Sequence, residues 1–480
     1  MADTLFWYDL ETFGRDPRVD RIAQFAGVRT NDAFEPVGEP LVLYCRPTPD
    51  FVPDPMACLI TGITPQDAAE RGVSEYEFVT RIREEFMVPG TCVVGYNSLR
   101  FDDEFIRNAL YRNFYDPYER EYASGNSRWD LVDVMRAAHD FRPEGIEWPL
   151  NEEGRPSFRL EELARANAVE QENAHDALSD VQATIGLARL LYQKQPRLFR
   201  YLFSLRRKER VYELIDLYHR RPFAYTSRLF TRAAGCTTAV APLAPNPRNP
   251  NEVLVYDLRF DPKPLLAGSV EEIRSRVFSR DPEERIRVTG LAVNRSPAVS
   301  PFSALESDGV AERLGLDLAR CRKHAAELAA DHELTQKIVR VYDTLPQSDH
   351  RDPELRLYSG GFFPDSDREQ FARIHETPRE RVPKLRLDCE DPRVPEMFRR
   401  FLWRNFLDLL PATEQKRWRA FCASRLLMSR GEKSVDFSFF SRKIDEHLQR
   451  SDLDGRAKVV LRTLADYRDY LKREVLEYRE

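Results

Sequence analysis

The sequence predicts an α/β first domain, a small second domain built on β structure, and a helical third domain. Three observations carry this. A short apolar and aromatic run, Thr4-Leu5-Phe6-Trp7-Tyr8-Asp9-Leu10, reads as a strand, and further strand-like and helix-period segments follow as far as Pro196. From about 200 to 345 the pattern changes to short β-like pieces set among turn-rich segments. After about 395 it is almost entirely helical. At 480 residues the chain also exceeds what one hydrophobic core supports, so two to four domains are expected.

Taken in order, strands are expected near 4–10, 21–29, 40–45 and 91–95, around a central mixed sheet. Helical periodicity marks 75–87, 102–114, 130–139, 158–167 and 176–194, and Pro196 closes the first domain at 1–195. In the second domain, 196–345, β-like pieces at 237–241, 253–257 and 285–293 are parted by turns such as Pro242–Pro250. Helices over 305–343 follow, which suits a small barrel or sheet with appended helices. The stretch 344–368, rich in Pro, Gly, Ser and Asp, reads as a linker. The third domain, 350–480, ends in a charged helix from about 453 to 478, and no repeat of solenoid period is present.

Composition narrows the function classes. With 42% apolar and 32% charged residues the chain is globular, and no apolar run approaches the ~18 residues of a membrane span. The segment Met1–Asp9 lacks a basic region and a small-residue cleavage site, so it is not read as a signal peptide. Seven scattered cysteines without a Cys-x-x-Cys pair suit a reducing cytoplasm and argue against a structural zinc site. A cytoplasmic protein with no membrane association is therefore expected. The net charge of −6 gives no general affinity for nucleic acid. One window is locally basic, however: Arg197, Arg200, Arg206, Arg207, Lys208, Arg210, Arg220, Arg221, Arg228 and Arg232, interleaved with Phe199, Tyr201, Phe203, Tyr212 and Tyr218. Arginine with aromatics suits phosphate contact plus base stacking, though solvated faces of amphipathic helices would look the same.

The chemistry resides in a dispersed acidic set. Asp9 and Glu11, two apart on a strand, project from one face and offer hard oxygen ligands for Mg2+ or Mn2+. Asp102 follows a short strand and the turn Gly95–Asn97, where α/β sites are built, although an N-cap role is equally ordinary there. His175 and Asp180 flank a helix start near Asp176, so that Asp180 lies one turn in and His175 stands on the preceding loop. No pair is diagnostic alone. Asp388-Cys389-Glu390 repeats the first spacing, and His447 with Asp452 repeats the last.

In combination, the strand Asp9-x-Glu11, then Asn97-x3-Phe101-Asp102, then His175-x4-Asp180 resembles the DEDD exonuclease superfamily in its histidine subtype. The flanking segments Tyr8–Gly14, Ile60–Pro65, Arg112–Tyr118, Asn126–Leu131 and Arg142–Ile146 resemble those of the bacterial exodeoxyribonuclease I family over essentially the whole chain, more loosely after about 205. The resemblance implies a ribonuclease H-like exonuclease domain, an SH3-like barrel and a helical domain. It implies 3′–5′ exonuclease action on single-stranded DNA, processive, in repair and recombination, releasing 5′-mononucleotides by two-metal hydrolysis.

By the same resemblance Asp9, Glu11, Asp102 and Asp180 are ligands to two Mg2+ ions, with Mn2+ as a substitute, and His175 is the general base. Substrate contacts are expected at Glu11, Arg159, Ile60, Thr61, Phe101, Arg107, Tyr118, Tyr122 and Arg136. Arg107 and Arg136 could instead be ion-paired, and Tyr118 could belong to a core. Arg142, Tyr201 and Arg221 match positions where the C-terminal tail of single-stranded DNA-binding protein would dock. A monomer is expected. The rival readings are a 3′–5′ exoribonuclease of the same superfamily, disfavoured by the chain's length, and a non-catalytic repair scaffold.

Overall fold

Alternation along the first strand explains how the first domain is layered. In the computed structural model, which describes residues 4–171, 176–307, 309–343, 350–428 and 435–477, β1 (Thr4–Thr12) is central to its sheet. Phe6, Tyr8 and Leu10 face one way into a core with Phe78, Phe86 and Phe105. Leu5 and Trp7 face the other way, against Trp129, Val181 and Ala188. The strand is thus covered on both sides, and its last odd-numbered positions, Asp9 and Glu11, continue the second face.

The sheet order is β3-β2-β1-β4-β5, with β2 (Ile22–Thr30) and β3 (Leu41–Tyr44) antiparallel. β4 (Thr91–Gly95) and β5 (Ser127–Asp130) run parallel to β1, giving the mixed sheet expected. The helices are α1 (Pro55–Thr61), α2 (Pro65–Arg71), α3 (Glu75–Phe86), α4 (Asp102–Arg112), α5 (Leu131–Phe141), α6 (Leu160–Ala166) and α7 (Ala177–Lys194). α1 and α2 are additions to the sequence reading. Each starts with proline and is capped, by Asp54 and by a Thr64–Asp67 capping box.

After α8 (Pro196–Ser204) and α9 (Lys208–Tyr212), a second sheet of order β10-β6-β7-β8-β9 is wholly antiparallel. Its strands are β6 (Phe223–Thr226), β7 (Thr237–Pro245), β8 (Glu252–Asp257), β9 (Val288–Ala292) and β10 (Ala298–Pro301). Helices α10 (Lys263–Ala267), α11 (Val270–Val277), α12 (Val310–Arg313), α13 (Leu318–Ala330) and α14 (Leu334–Asp343) accompany it. One apolar cluster runs unbroken from α5 and α7 through Tyr225 and Val240 to Ile338, so the first two units share a core.

The third unit comprises α15 (Asp365–Glu376), α16 (Val394–Asn405), α17 (Ala412–Leu427), α18 (Phe437–Leu448) and α19 (Gly455–Leu471), followed by a π-helical turn, Lys472–Leu476. It grips the first domain through Phe13 and Cys58 against Trp403 and Leu464, and through Phe114 against Phe371 and Phe401. Between 350 and 368, where a linker is expected, a one-turn helix Pro353–Leu355 buries Glu354. There Arg404 donates to Glu354 and to Asp50 of the first domain, both at 2.9 Å through Nη2. Among the described residues no helix is long and apolar enough to cross a membrane.

Candidate active site

Three elements deliver the acidic residues to one cleft. β1 brings Asp9 and Glu11 on its second face, where α7 packs. α7 is capped by Asp176, whose side chain accepts from Ser179 N at 3.3 Å, and Asp180 lies in its first turn. Ligand oxygens of Asp9, Glu11 and Asp180 all lie within 4.8 Å of one another. Asp102, the first residue of α4, completes the set in a cleft of about 1210 Å³. It is a first-turn residue and not a cap, because Phe101 occupies the cap position without a side-chain bond. His175 lies outside the described residues.

The loop that presents Asp102 is pinned by a residue the sequence reading passed over. Asp130, at the end of β5, accepts from Asn97 N at 2.8 Å and Leu99 N at 3.1 Å. Asn97 takes a left-handed conformation (φ 60°), which asparagine tolerates. Behind the site Asp103 is buried against Arg120 and Arg128 and accepts from Tyr8 Oη at 2.7 Å, fastening α4 to β1 next to Asp9. Gln171 adds a 2.7 Å bond from Nε2 to Asp180 Oδ1.

The electrostatics separate adjacent carboxyls. Burial, then Asp102, Glu11 and Asp180, raise the pKa of Asp9 well above the carboxylate range. Burial, then Asp180 and Asp176, push Glu11 up to about 8. Asp102 is raised by burial and by Asp103, whereas Arg120 and Arg128 hold Asp103 far below the usual range despite its burial. The charges bearing most on Asp9 and Glu11 are thus other carboxylates, an arrangement that calls for cations. An all-oxygen donor set on rigid elements fits hard divalent ions.

The remaining expected positions fall into distinct groups. Phe101, Arg136 and Arg159 line the cleft, joined by Arg228 and Thr231 of the second unit. Arg159 is open, its side chain 73% exposed, with Glu162 at 3.5 Å. Arg136 is tied to Asp133 at 2.6 Å and lies over Phe158. Arg107 is only 4% exposed, pairs with Glu104 and Glu121, and sits 5.2 Å from the Tyr118 ring, so it is held within the protein as an ion pair. Tyr122 and Ile60 are exposed, and Thr61 is nearly buried. Within the basic window Arg220 is spent on Leu328, Asp331 and Thr335 of the second unit, and Arg207 on Gly125 O, which leaves Arg228 as its member at the cleft.

A second cleft, of about 660 Å³, brings Arg142 and Tyr201 together with Arg197, Leu198 and Pro301. Arg221 is not part of it; that side chain is exposed and paired with Asp216 at 3.1 Å.

Comparison with known proteins covers the whole chain. Residues 6–188 match a family described as "Exonuclease", 206–344 the "Exonuclease I SH3-like domain" and 351–471 the "Exonuclease I C-terminal domain". Exodeoxyribonuclease I of Haemophilus influenzae is 40% identical over 458 residues, 94% of this chain and 95% of that protein. The structure is similar to exonuclease I from Methylocaldum szegediense (TM-score 0.93, 43% identity, 99% of this chain and 100% of that one). It is likewise similar to Escherichia coli exonuclease I in complex with a dA16 oligonucleotide (TM-score 0.92, 38% identity, 98% and 100%). A complex of SSB and exonuclease I with the inhibitor CFAM gives a TM-score of 0.90 at 38% identity, covering 98% and 100%.

Proposed function

Because the chain belongs to the bacterial exonuclease I family, it is a 3′–5′ exonuclease of single-stranded DNA that depends on divalent metal, and we propose that Asp9, Glu11, Asp102 and Asp180 hold two Mg2+ ions, with Mn2+ as a substitute. The observation that carries this reading is the meeting of four carboxylates in one cleft whose wall also bears Phe101, Arg159 and Arg228. Two divalent ions there would neutralise the acidic cluster and stabilise charge on the attacking and leaving oxygens of an in-line phosphoryl displacement.

The chain's own groups supply the rest. Arg159, open to the cleft, grips a phosphate of the strand, and Phe101, packed on Phe105 at 5.0 Å, offers a ring to a terminal base. Ile60 and Thr61 flank the terminal nucleotides, with Tyr118, Tyr122 and Arg136 further along the strand. His175, two residues ahead of α7 in sequence, takes the proton of the attacking water, and the product is a 5′-mononucleotide. Arg107 supports Tyr118 through its guanidinium–ring contact. The second and third units border the path and make digestion processive.

The Arg142–Tyr201 cleft takes an acidic C-terminal tail of single-stranded DNA-binding protein, with Arg142 and Arg197 facing carboxylates and Leu198 and Pro301 an apolar side chain. The SSB–exonuclease I complex among the related structures supports this reading. The enzyme works as a monomer in the cytoplasm, in DNA repair and recombination. Degradation of end-labelled single-stranded DNA, duplex DNA and RNA, each with Mg2+ or with chelator, tests the function. Mg2+-dependent loss from the 3′ end of single-stranded DNA is expected. Preferential RNA digestion would point to the oligoribonuclease reading, and no digestion to a scaffold.

A further inference from the structure

Phe101, Glu104 and Arg107 recur at three-residue spacing along the start of α4 and therefore lie on one side of it. Glu104 N donates to Phe101 O at 3.1 Å, so the stripe begins at the edge of the metal cleft. It continues through Arg107 to the Tyr118 ring. Aromatics and arginines suit a stacked polyanionic strand; a carboxylate in their midst does not, since it would repel phosphate.

Glu104 is nonetheless fully engaged, and by all three domains. Its Oε1 accepts from Arg107 Nη1 at 3.0 Å on the same helix and from Arg295 Nη2 at 2.9 Å, from the turn between β9 and β10. Its Oε2 accepts from the hydroxyl of Tyr358, in the third domain, and Arg107 Nη1 also donates to that hydroxyl at 3.2 Å. The Glu104 side chain is 14% exposed, whereas Arg295 is 37% and Tyr358 59% exposed. The carboxylate is covered, while its partners from the second and third domains stay open to solvent. Arg128 and Ser296 add a separate fastening between the first two domains, with Ser296 Oγ donating to Arg128 O at 2.7 Å. Glu104 differs in touching both outer domains at once.

We infer that Glu104 is a positioning residue for long-strand digestion: it ties the second and third domains to α4 across the strand path, two residues from the metal ligand Asp102. This rests on the proposed path along α4. Glu104 takes no part in the chemistry, so its loss acts on how long a strand stays engaged and not on the first cleavage. A bystander carboxylate would give the opposite sign, since its removal relieves repulsion and tightens DNA binding.

The test uses the full chain with Mg2+, wild type against Glu104→Ala, Glu104→Gln, Arg295→Ala and the double variant Glu104→Ala/Arg295→Ala. The mean number of nucleotides released per encounter is measured on long single-stranded DNA with a heparin trap. The first-cleavage rate is measured separately on a saturating short oligonucleotide. Loss of the two interdomain charge-assisted bonds, from Arg295 and Tyr358, predicts a run shortened about tenfold in Glu104→Ala, with the first-cleavage rate within about twofold of wild type. Glu104→Gln, which keeps an acceptor for Tyr358, should fall between them, and Arg295→Ala should add little to Glu104→Ala. An unchanged or longer run in both Glu104 variants overturns the inference, as does an equal fall in run length and first cleavage. A wild type that releases one nucleotide per encounter would instead refute the processive reading itself.

Discussion

Arg456, near the start of α19, donates a 2.9 Å hydrogen bond from Nη2 to the backbone carbonyl of Thr61. The last long helix of the chain thereby supports the end of α1, where Ile60 and Thr61 are proposed to flank the terminal nucleotides. Gly62, which closes that helix at φ 76°, is fixed by the same contact, because a Cβ there would fall 2.1 Å from the guanidinium. A charged donor to a carbonyl is worth roughly 1.5–3 kcal/mol, so Arg456→Ala should raise KM for single-stranded DNA about tenfold or more, with kcat little changed. Gly62→Ala should reproduce this effect. Steady-state kinetics on a short oligonucleotide decides it: unchanged KM in both variants would mean that α19 does not support the terminal-nucleotide site.

The acidic cluster sets stability against function. Without cations, Asp9, Glu11, Asp102 and Asp180 repel one another in a largely buried site, as the raised pKa values of Asp9, Glu11 and Asp102 express. Asp102→Asn removes one of these charges. In chelator its Tm should therefore equal or exceed that of wild type by a few degrees, while the rise in Tm on adding Mg2+ should shrink and hydrolysis should fail. Calorimetry with and without Mg2+ reads both effects. A variant that is less stable in chelator yet gains as much from Mg2+ as wild type would remove Asp102 from the ligand set.

His375 supplies a pH dependence away from the site. Its ring stacks on Tyr115 with centroids 3.8 Å apart; Nε2 faces Phe114 O at 3.1 Å and Nδ1 faces Tyr76 Oη at 3.2 Å, so the neutral tautomer carries its proton on Nε2. Burial, with Arg83 nearby, pushes its pKa down to about 4 from an ordinary 6.5. Because the folded-state pKa is the lower, the unfolded chain binds the extra proton first. The contribution is complete above about pH 6.5 and is lost as pH falls toward 4, amounting to about 3 kcal/mol. Thermal unfolding followed from pH 7 to 4.5 should show a loss that His375→Gln reduces. Parallel profiles for the two proteins would exclude His375 as the source.

What is legible in the sequence is local. Strand parity placed Asp9 and Glu11 on one face, and helical phase placed Asp180 one turn into α7, because both follow from a few consecutive residues. What escaped depends on partners far along the chain. Arg107 reads as a strand contact until Glu121 is seen to enclose it, and Asp103 gains its meaning from Arg120 and Arg128. The 344–368 stretch has the composition of a linker, yet its described part buries Glu354, because Arg400 and Arg404 on α16 reach it. Strands β6 and β10, four residues each, are too short for a period to show and exist through pairing with one another and with β7.

The second cleft yields the cleanest separation of partner binding from catalysis. Arg142 and Arg197 line it, whereas Arg221, expected from the sequence to share the role, lies apart in an ion pair with Asp216. For a peptide ending in acidic residues and a free carboxylate, Arg142→Ala should weaken binding about tenfold or more, consistent with the ~1.5–3 kcal/mol of a charge-assisted bond. The peptide's affinity should also fall steeply with salt. Arg221→Ala should leave it unchanged. Neither substitution should alter hydrolysis of a short naked oligonucleotide, since neither residue lines the metal cleft. Fluorescence anisotropy of a labelled peptide against each variant measures this. A loss in Arg221→Ala equal to that in Arg142→Ala would move the docking site from the cleft to the exposed face around Asp216.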